Sequence, residues 1–294
     1  MTTDAQPVAP AAARALPARL LDPRAYIRAF AELGSLLFRQ RTLTMEMAKR
    51  EIASEHAGKH LGRFWGVFQP LALLAVYAIV YGVVFRAKIG GTYELPRNYT
   101  IYLLSGLVPW FAFQLSMSKS ASVIPANAAF VKQVIFDLNV LPLATVIFAF
   151  FPLVLGIGFI GVYTLADYHS VPVLYAALPV ALLFEFFAMA GVAFALSALG
   201  VFIRDIRDVV QLSAIVLIFL MPIVYLPGQV PAAFNPLLWL NPFTYMVYVF
   251  QDVLYYGRVE HPLSWIAFGV GSLFAFALGY RLFKRVKPYF ANVL

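Results

Sequence analysis

Residues 140–165 read VLPLATVIFAFFPLVLGIGFIGVYTL, a run without one charged side chain. An α-helix rises about 1.5 Å per residue, so about 20 apolar residues cross the roughly 30 Å hydrocarbon core of a bilayer. This run is long enough, and Thr145, Tyr163 and Thr164 are its only polar side chains. Outward from it, 64–85, 101–118 and 209–226 are equally free of charge, 173–201 holds only Glu185, and 264–283 only Arg281. Six spans are expected, in an all-α integral membrane protein. An even number leaves both termini on one side.

Charge decides which side. Lys and Arg near span ends are retained in the cytoplasm. With the termini inside, eighteen of the 22 Lys and Arg fall in inner segments, and the outer loops hold only Arg86, Lys88, Arg97 and Arg258. The surplus of basic over acidic residues, 22 against 14, is thus topological charge facing anionic headgroups and not a nucleic-acid surface. Hydrophobic residues make up 62% of the chain and charged ones 12%, against about 45–50% and about 25% in soluble domains.

Residues 1–30 are rich in Ala and Pro and lack the apolar core of a signal peptide, so a disordered cytosolic tail is expected there. Through 31–60, Leu33, Leu36, Leu37, Leu43 and Met47 alternate with Arg39, Arg41, Glu46, Lys49, Arg50 and Glu55. That spacing predicts an amphipathic interface helix on the inner surface, serving as a lipid anchor or a docking element. The transmembrane domain takes 61–294. Between the fifth and sixth spans, Pro227, Pro231, Pro236 and Pro242 interrupt the chain, yet 243–256 (FTYMVYVFQDVLYY) is short and apolar. Re-entrant outer helices are expected there. A seventh crossing would carry Arg281, Lys284, Arg285 and Lys287 outside, against the charge rule.

Enzyme chemistry finds little to work with. Cysteine is absent, which removes disulfides, thiolate metal sites and thiol nucleophiles. No GxxxxGK[ST] loop occurs, so nucleotide phosphates must be handled by another chain. His56 and His60 have i,i+4 spacing but no HExxH glutamate, and no metal site is expected. Glu185 is either a proton-relay or substrate group or, the reading preferred here, a carboxyl hydrogen-bonded between packed helices. Gly58, Gly62 and Gly66 offer a smooth face where the surface helix meets the first span, for a tight contact or for packing alone. Aromatic side chains such as Tyr245 and Trp239 are expected in interfacial belts or the core, with a minority lining a conduit whose flat faces suit glycan rings.

Five groups of residues follow one another along the chain. They are Lys49-Arg50-Glu51-Ile52 with Leu61-Gly62-Arg63-Phe64-Trp65 and Pro70; Phe130-Val131-Lys132-Gln133-Val134-Ile135-Phe136 with Leu141-Pro142; Phe202-Ile203-Arg204-Asp205-Ile206-Arg207-Asp208; Pro222-Ile223-Val224-Tyr225; and Leu240-Asn241-Pro242-Phe243. In this order and spacing they resemble the permease subunits of type-2 ABC exporters of the polysaccharide and O-antigen export family. Those permeases move lipid-linked O-antigen, capsule, teichoic acid or galactan chains. The chain departs from the family pattern at 58–60, where Gly-Lys-His replaces a usually Tyr-rich stretch, and its first thirty or so residues have no counterpart.

The resemblance implies a transport subunit and not an enzyme: a homodimer of six-span subunits, two cytosolic ATPase subunits, and a channel between the protomers. It implies no cofactor on this chain, with ATP and Mg bound by the ATPase partner. Phe130, Lys132, Gln133, Phe136 and Asp137 would belong to a coupling helix seated in the ATPase. Arg204, Asp205, Arg207 and Asp208 would form a second contact, their alternating charges suiting a wet interface. Lys49, Arg50 and Arg63 would draw the pyrophosphate of a polyprenyl-linked glycan to the cytosolic mouth. Phe64, Trp65, Gln69, Tyr77, Tyr81, Trp110, Phe113 and Tyr225 are the channel-lining candidates. The implied location is a bacterial inner (plasma) membrane, with both termini cytoplasmic. An ABC permease for a small lipid or drug shares the plan. A membrane-embedded transferase acting on polyprenyl-linked sugars would gather acids at one face, whereas Glu94, Asp167, Asp252 and Glu260 are far apart in the chain. A secondary transporter would show repeated halves.

Overall fold

The computed structural model describes residues 30–32, 34, 39–55, 62, 64–84, 98–131, 137–226 and 231–293. The regular elements among them are all helical. In chain order they are α1 (Arg41–Glu55), α2 (Phe64–Ile79, continued by a π turn Val80–Val84), α3 (Tyr99–Ala126), α4 (Ala128–Val131), α5 (Val140–Tyr168), α6 (Leu178–Phe202, after a 3-10 turn Val173–Ala177) and α7 (Ile206–Phe219). Then come α8 (Asn235–Leu240), α9 (Pro242–Gln251, continued by a π turn Asp252–Tyr256), α10 (Pro262–Val286) and α11 (Phe290–Val293). Five stretches are long and apolar enough to cross a membrane: Phe64–Gly82, Tyr99–Ala126, Val140–Tyr168, Val173–Phe202 and Pro262–Tyr289.

The run 209–226 differs from the continuous span its composition predicts. α7 ends after 14 residues, shortly before Pro222, which has no N–H to extend the helical ladder. The backbone then turns through 220–226, where side chains supply donors to its carbonyls. Tyr102 Oη donates to Pro222 O (2.8 Å) and Tyr225 O (3.1 Å), Tyr99 Oη to Val224 O (2.8 Å), Gln251 Nε2 to Pro222 O (2.8 Å) and Asn241 Nδ2 to Leu220 O (3.1 Å). Irregular backbone is tolerated deep in a bundle only when such donors replace the helix's own.

Contacts between helix ends sort the bundle into two sides. Ser197 Oγ donates to Ser120 O (3.0 Å), Lys287 Nζ to Asp137 Oδ1 (2.9 Å), and the Phe202 and Phe290 rings lie 6.2 Å apart. The C-terminal parts of α3, α6 and α10 therefore share one side with the N-termini of α5 and α7. Lys119, Arg204, Arg207, Lys284, Arg285 and Lys287 gather there, and this is the basic end. At the opposite end Asn98 N donates to Tyr168 Oη (2.5 Å) and Tyr175 Oη to Leu254 O (3.2 Å).

α3 is the central helix: 83% of its most apolar stretch is buried, against 11% for α2 at the periphery. α6 touches α10 and α3 through bare backbone. A Cβ added to Gly279 would meet Gly191 O at 1.9 Å, and one added to Gly200 would meet Ala121 O at 1.9 Å. Small residues let helices approach this closely. α9 is capped by Asn241, whose side chain accepts from Phe243 N (3.0 Å), with Pro242 at the first helical position. It starts halfway along the bundle, Phe243 against Trp110 and Phe113 (5.3 and 5.0 Å), and ends at the opposite end with Tyr255 on Tyr102 (5.2 Å). α1 lies on α5. It buries the small Thr44 and Ala48, with Met47 half-buried and Leu43 exposed. Leu33, Leu36 and Leu37 lie outside the described residues.

Candidate functional site

A cavity of about 650 Å³ opens between α2 and α7, with α3 and α5 as its floor and the end of α1 at its rim. Because α2 begins and α3 ends at the basic end, the cavity occupies that half of the bundle. Leu73, Leu74, Phe111, Phe148, Phe151 and Ile215 make most of the wall apolar, but three amides, Gln69, Gln114 and Gln211, come to it from α2, α3 and α7. An amide donates and accepts without the desolvation cost of a charge. Pro70 and Pro152 add to this polarity. Each withholds the N–H that the carbonyl four residues earlier would take, at Gly66 and Phe148, both on the wall. Aromatic faces with uncharged hydrogen-bonding groups suit a polyhydroxylated, neutral ligand.

Among the described lining residues Glu55 alone is acidic or basic. Beside it lies Lys119, its Nζ 3.6 Å from Glu55 Oε1, 2.9 Å from Glu51 Oε1 and 5.0 Å from the centre of the Phe148 ring. Sequence reasoning missed Lys119, which counts there only as one more inner positive charge. It also missed Gln114 and Gln211, for which an amide in an otherwise apolar span is the available signal.

Of the channel candidates, Trp65 and Gln69 line the cavity. Phe64 is exposed and stacks on Phe68 at 5.3 Å. Tyr77 and Tyr81 stack on each other at 6.2 Å farther along α2, and Trp110 and Phe113 are buried against Phe243. Tyr225 Oη donates to Phe219 O at 3.3 Å in the irregular segment. Among the cation candidates, Lys49 pairs with Glu46 at 2.9 Å on the exposed side of α1, and Arg50 borders a smaller hollow with Asn127 and Thr145. Arg63 lies outside the described residues.

Of the coupling candidates, Lys132, Gln133, Phe136 and the side chain of Phe130 also lie outside the described residues. Asp137 sits where three segments meet, accepting from Lys287 Nζ (2.9 Å), Gln40 Nε2 (2.9 Å) and Asn139 N (3.2 Å). Burial pushes its carboxyl up, but these donors and the Lys287 charge outweigh burial and hold it below the usual carboxylate range. Arg204, Asp205, Arg207 and Asp208 are all exposed at the α6–α7 turn. Glu185 is fully buried in α6, and neither carboxyl oxygen has a partner among the described residues. Among the described residues, the hydrogen bond between packed helices expected for it is not formed. No group of three or more metal-ligating side chains occurs among the described residues.

The family described as ABC-2 type transporter matches residues 42–255. The chain is 26% identical over 254 residues to a Klebsiella pneumoniae protein named O-antigen export system permease protein RfbA, an alignment covering 86% of this chain and 95% of that one. It is 25% identical over 259 residues to a Myxococcus xanthus protein of the same name, covering 87% and 96%.

Proposed function

The chain belongs to the ABC-2 type transporter family, and on that premise we propose that it is the membrane subunit of an ATP-driven exporter carrying a lipid-linked polysaccharide from the cytoplasm across the inner membrane. The likeness to permeases named for O-antigen export, over 86% of this chain, carries the cargo class. The cavity's neutral amides and aromatic faces fit a sugar chain, and its apolar wall fits a polyprenyl tail.

The basic end faces the cytoplasm in this reading, with both termini there. α7 supplies about 21 Å of helix and the irregular 220–226 segment completes a sixth crossing, while α8 and α9 form a re-entrant pair from the outer side. α1 lies at the inner interface. A second copy covers the apolar faces flanking the cavity, where Val76 and Ile79 of α2 and Leu212 and Phe219 of α7 are each more than half exposed. The conduit then runs between protomers. Two ATPase subunits, which bind ATP and Mg, engage the connection at Phe130–Asp137 and the turn at Arg204–Asp208. Lys49, Arg50 and Arg63 contribute to the positive field that draws the diphosphate inward.

Co-expression with the ATPase subunit encoded beside it, co-purification, and hydrolysis assays with and without a polyprenyl-diphosphate-linked glycan test this reading. A stable complex of the two subunits whose hydrolysis responds to the glycan is the expected result. A chain that purifies without any ATPase and still modifies polyprenyl lipids would replace it with a transferase.

A further inference from the structure

Among the described residues Lys119 is the cation placed beside the cavity, and two carboxylates hold it. Glu51 and Glu55 are one helical turn apart on α1, so both face the same point on α3. Two carboxylates thus converge on one ammonium at the rim of a cavity whose described lining holds no charged side chain besides Glu55. The Lys119, Glu51 and Glu55 side chains are 27%, 36% and 37% exposed, and ion pairs this wet are worth about 0–1 kcal/mol. They can be exchanged for a better anion at small cost.

The setting says which anion. Lys119 Nζ sits over the Phe148 ring, and Phe148 continues directly into the apolar wall with Phe151 and Leu74. A ligand whose charge reaches Nζ therefore places whatever follows that charge among apolar side chains. That is the shape of an amphiphile with a phosphate headgroup, not of a free ion. A phosphate carries more charge than one carboxylate and offers three acceptor oxygens. The side chains that α1 buries fully are the small Thr44 and Ala48, with Met47 and Ile52 half-buried beside them. The segment from α1 toward α2 includes Gly62, at φ +47° with nothing within 4 Å of an added Cβ, a left-handed position that favours glycine.

We propose that Lys119 is the phosphate-binding residue of the cavity, and that Glu51 and Glu55 of α1 occupy it until a phosphate-headed lipid displaces them. The inference rests on the exporter reading for its cargo, a polyprenyl diphosphate, but the site itself requires only a lipid phosphate. Selectivity follows from the exchange: an uncharged polyprenol cannot release Lys119 from the two carboxylates, and a diphosphate can.

The test uses the full chain with its ATPase subunit in nanodiscs of phosphatidylcholine, titrated with undecaprenyl diphosphate, phosphatidic acid or undecaprenol, and read by the fluorescence of Trp65 on the cavity wall. A Trp65→Phe variant identifies the signal. Lys119→Gln is expected to weaken undecaprenyl diphosphate binding about tenfold, equivalent to about 1.4 kcal/mol, and Lys119→Arg to keep it. Glu51→Gln/Glu55→Gln is expected to tighten it several-fold, with undecaprenol unaffected by any of these changes. Unchanged affinity in Lys119→Gln overturns the proposal. So does weaker binding in the double glutamine variant together with a lowered melting temperature, because the trio would then only pin α1 in place. Binding of phosphatidic acid that depends on Lys119, with none of undecaprenyl diphosphate, keeps the phosphate site and removes the cargo reading. Binding of neither phosphate lipid overturns the site.

Discussion

Lys287, just past the end of α10, holds Asp137 at the start of α5 through an Nζ–Oδ1 contact of 2.9 Å, and Gln40 takes the other carboxyl oxygen. The connection between α3 and α5 is thereby fastened both to the C-terminal tail and to the segment before α1. If that connection meets an ATPase, the fastening positions it. Lys287→Asp should then leave the complex assembled and hydrolysing ATP while export of surface glycan drops several-fold. The exchanged pair Asp137→Lys/Lys287→Asp should restore it. A pair about one-third exposed contributes only about 0–1 kcal/mol to stability, so melting temperatures should barely move. Failure of the exchange to rescue export would remove the positioning role.

The same carboxyl predicts a pH profile. Its donors lower its pKa in the folded state, so its stabilisation is fully present above the unfolded value, near pH 4, and disappears as pH falls through the lowered folded value. Melting curves of the wild type and Asp137→Asn in detergent should differ by a constant amount above about pH 5 and converge in acid. A difference that grew with acidity would mean that burial wins over the donors.

α6 and α10 meet at Gly191 and Gly279, where an added Cβ collides with backbone that cannot swing aside. Gly279→Ala should cost about 1–3 kcal/mol, the usual range for overpacking. Gly271→Ala on the same helix meets nothing within 4 Å and should be neutral or gain up to about 1 kcal/mol from helix propensity. Thermal unfolding in detergent separates the two. Identical behaviour would mean that the helices do not cross there.

What sequence conveys here follows from what each feature physically requires. Burial in lipid requires length without charge, and 140–165 or 173–201 displays that requirement in one window. By the same criterion 209–226 reads as a continuous span. Its break depends on Pro222 together with hydroxyls from Tyr99 and Tyr102, more than a hundred residues away. No local pattern contains both partners. The cavity was partly legible, since Trp65 and Gln69 lie on it, but Gln114 and Gln211 come from other helices and spacing does not say that they line the same cavity as Gln69. Trp110 and Phe113 show the converse. Their ring faces suit a conduit as well as a core, and only Phe243, brought in by α9, decides for the core.

Glu185 is a buried acid with no partner among the described residues. A polar group in that state destabilises the fold by roughly the desolvation cost it cannot recover, about 1–3 kcal/mol. Glu185→Met keeps the volume and removes the cost, so melting temperature should rise while export is unchanged. A variant that is more stable but no longer exports would place Glu185 in the transport cycle instead.

At the opposite end of the bundle, Asp252 fastens the close of α9 to the start of α10. Its buried carboxylate accepts from His261 N (3.0 Å), His261 Nδ1 (2.8 Å) and Trp265 Nε1 (3.0 Å), and its carbonyl accepts from Gly257 N (2.8 Å). The chain reverses at Gly257, at φ 66°, and exposes Arg258 in the turn. Hydrogen bonds to a charged acceptor are worth about 1.5–3 kcal/mol each. Asp252→Ala, which removes all three side-chain bonds and strands their donors, should therefore cost more than about 3 kcal/mol locally, and Asp252→Asn less. Trypsin reads this directly in the solubilised protein, because cleavage after Arg258 requires the turn to open. The wild type should resist, Asp252→Ala should be cut quickly, and Asp252→Asn should fall between them. If Asp252→Ala resists as well as the wild type, the turn is held by the Tyr248 and Tyr256 rings around His261 and not by the carboxylate.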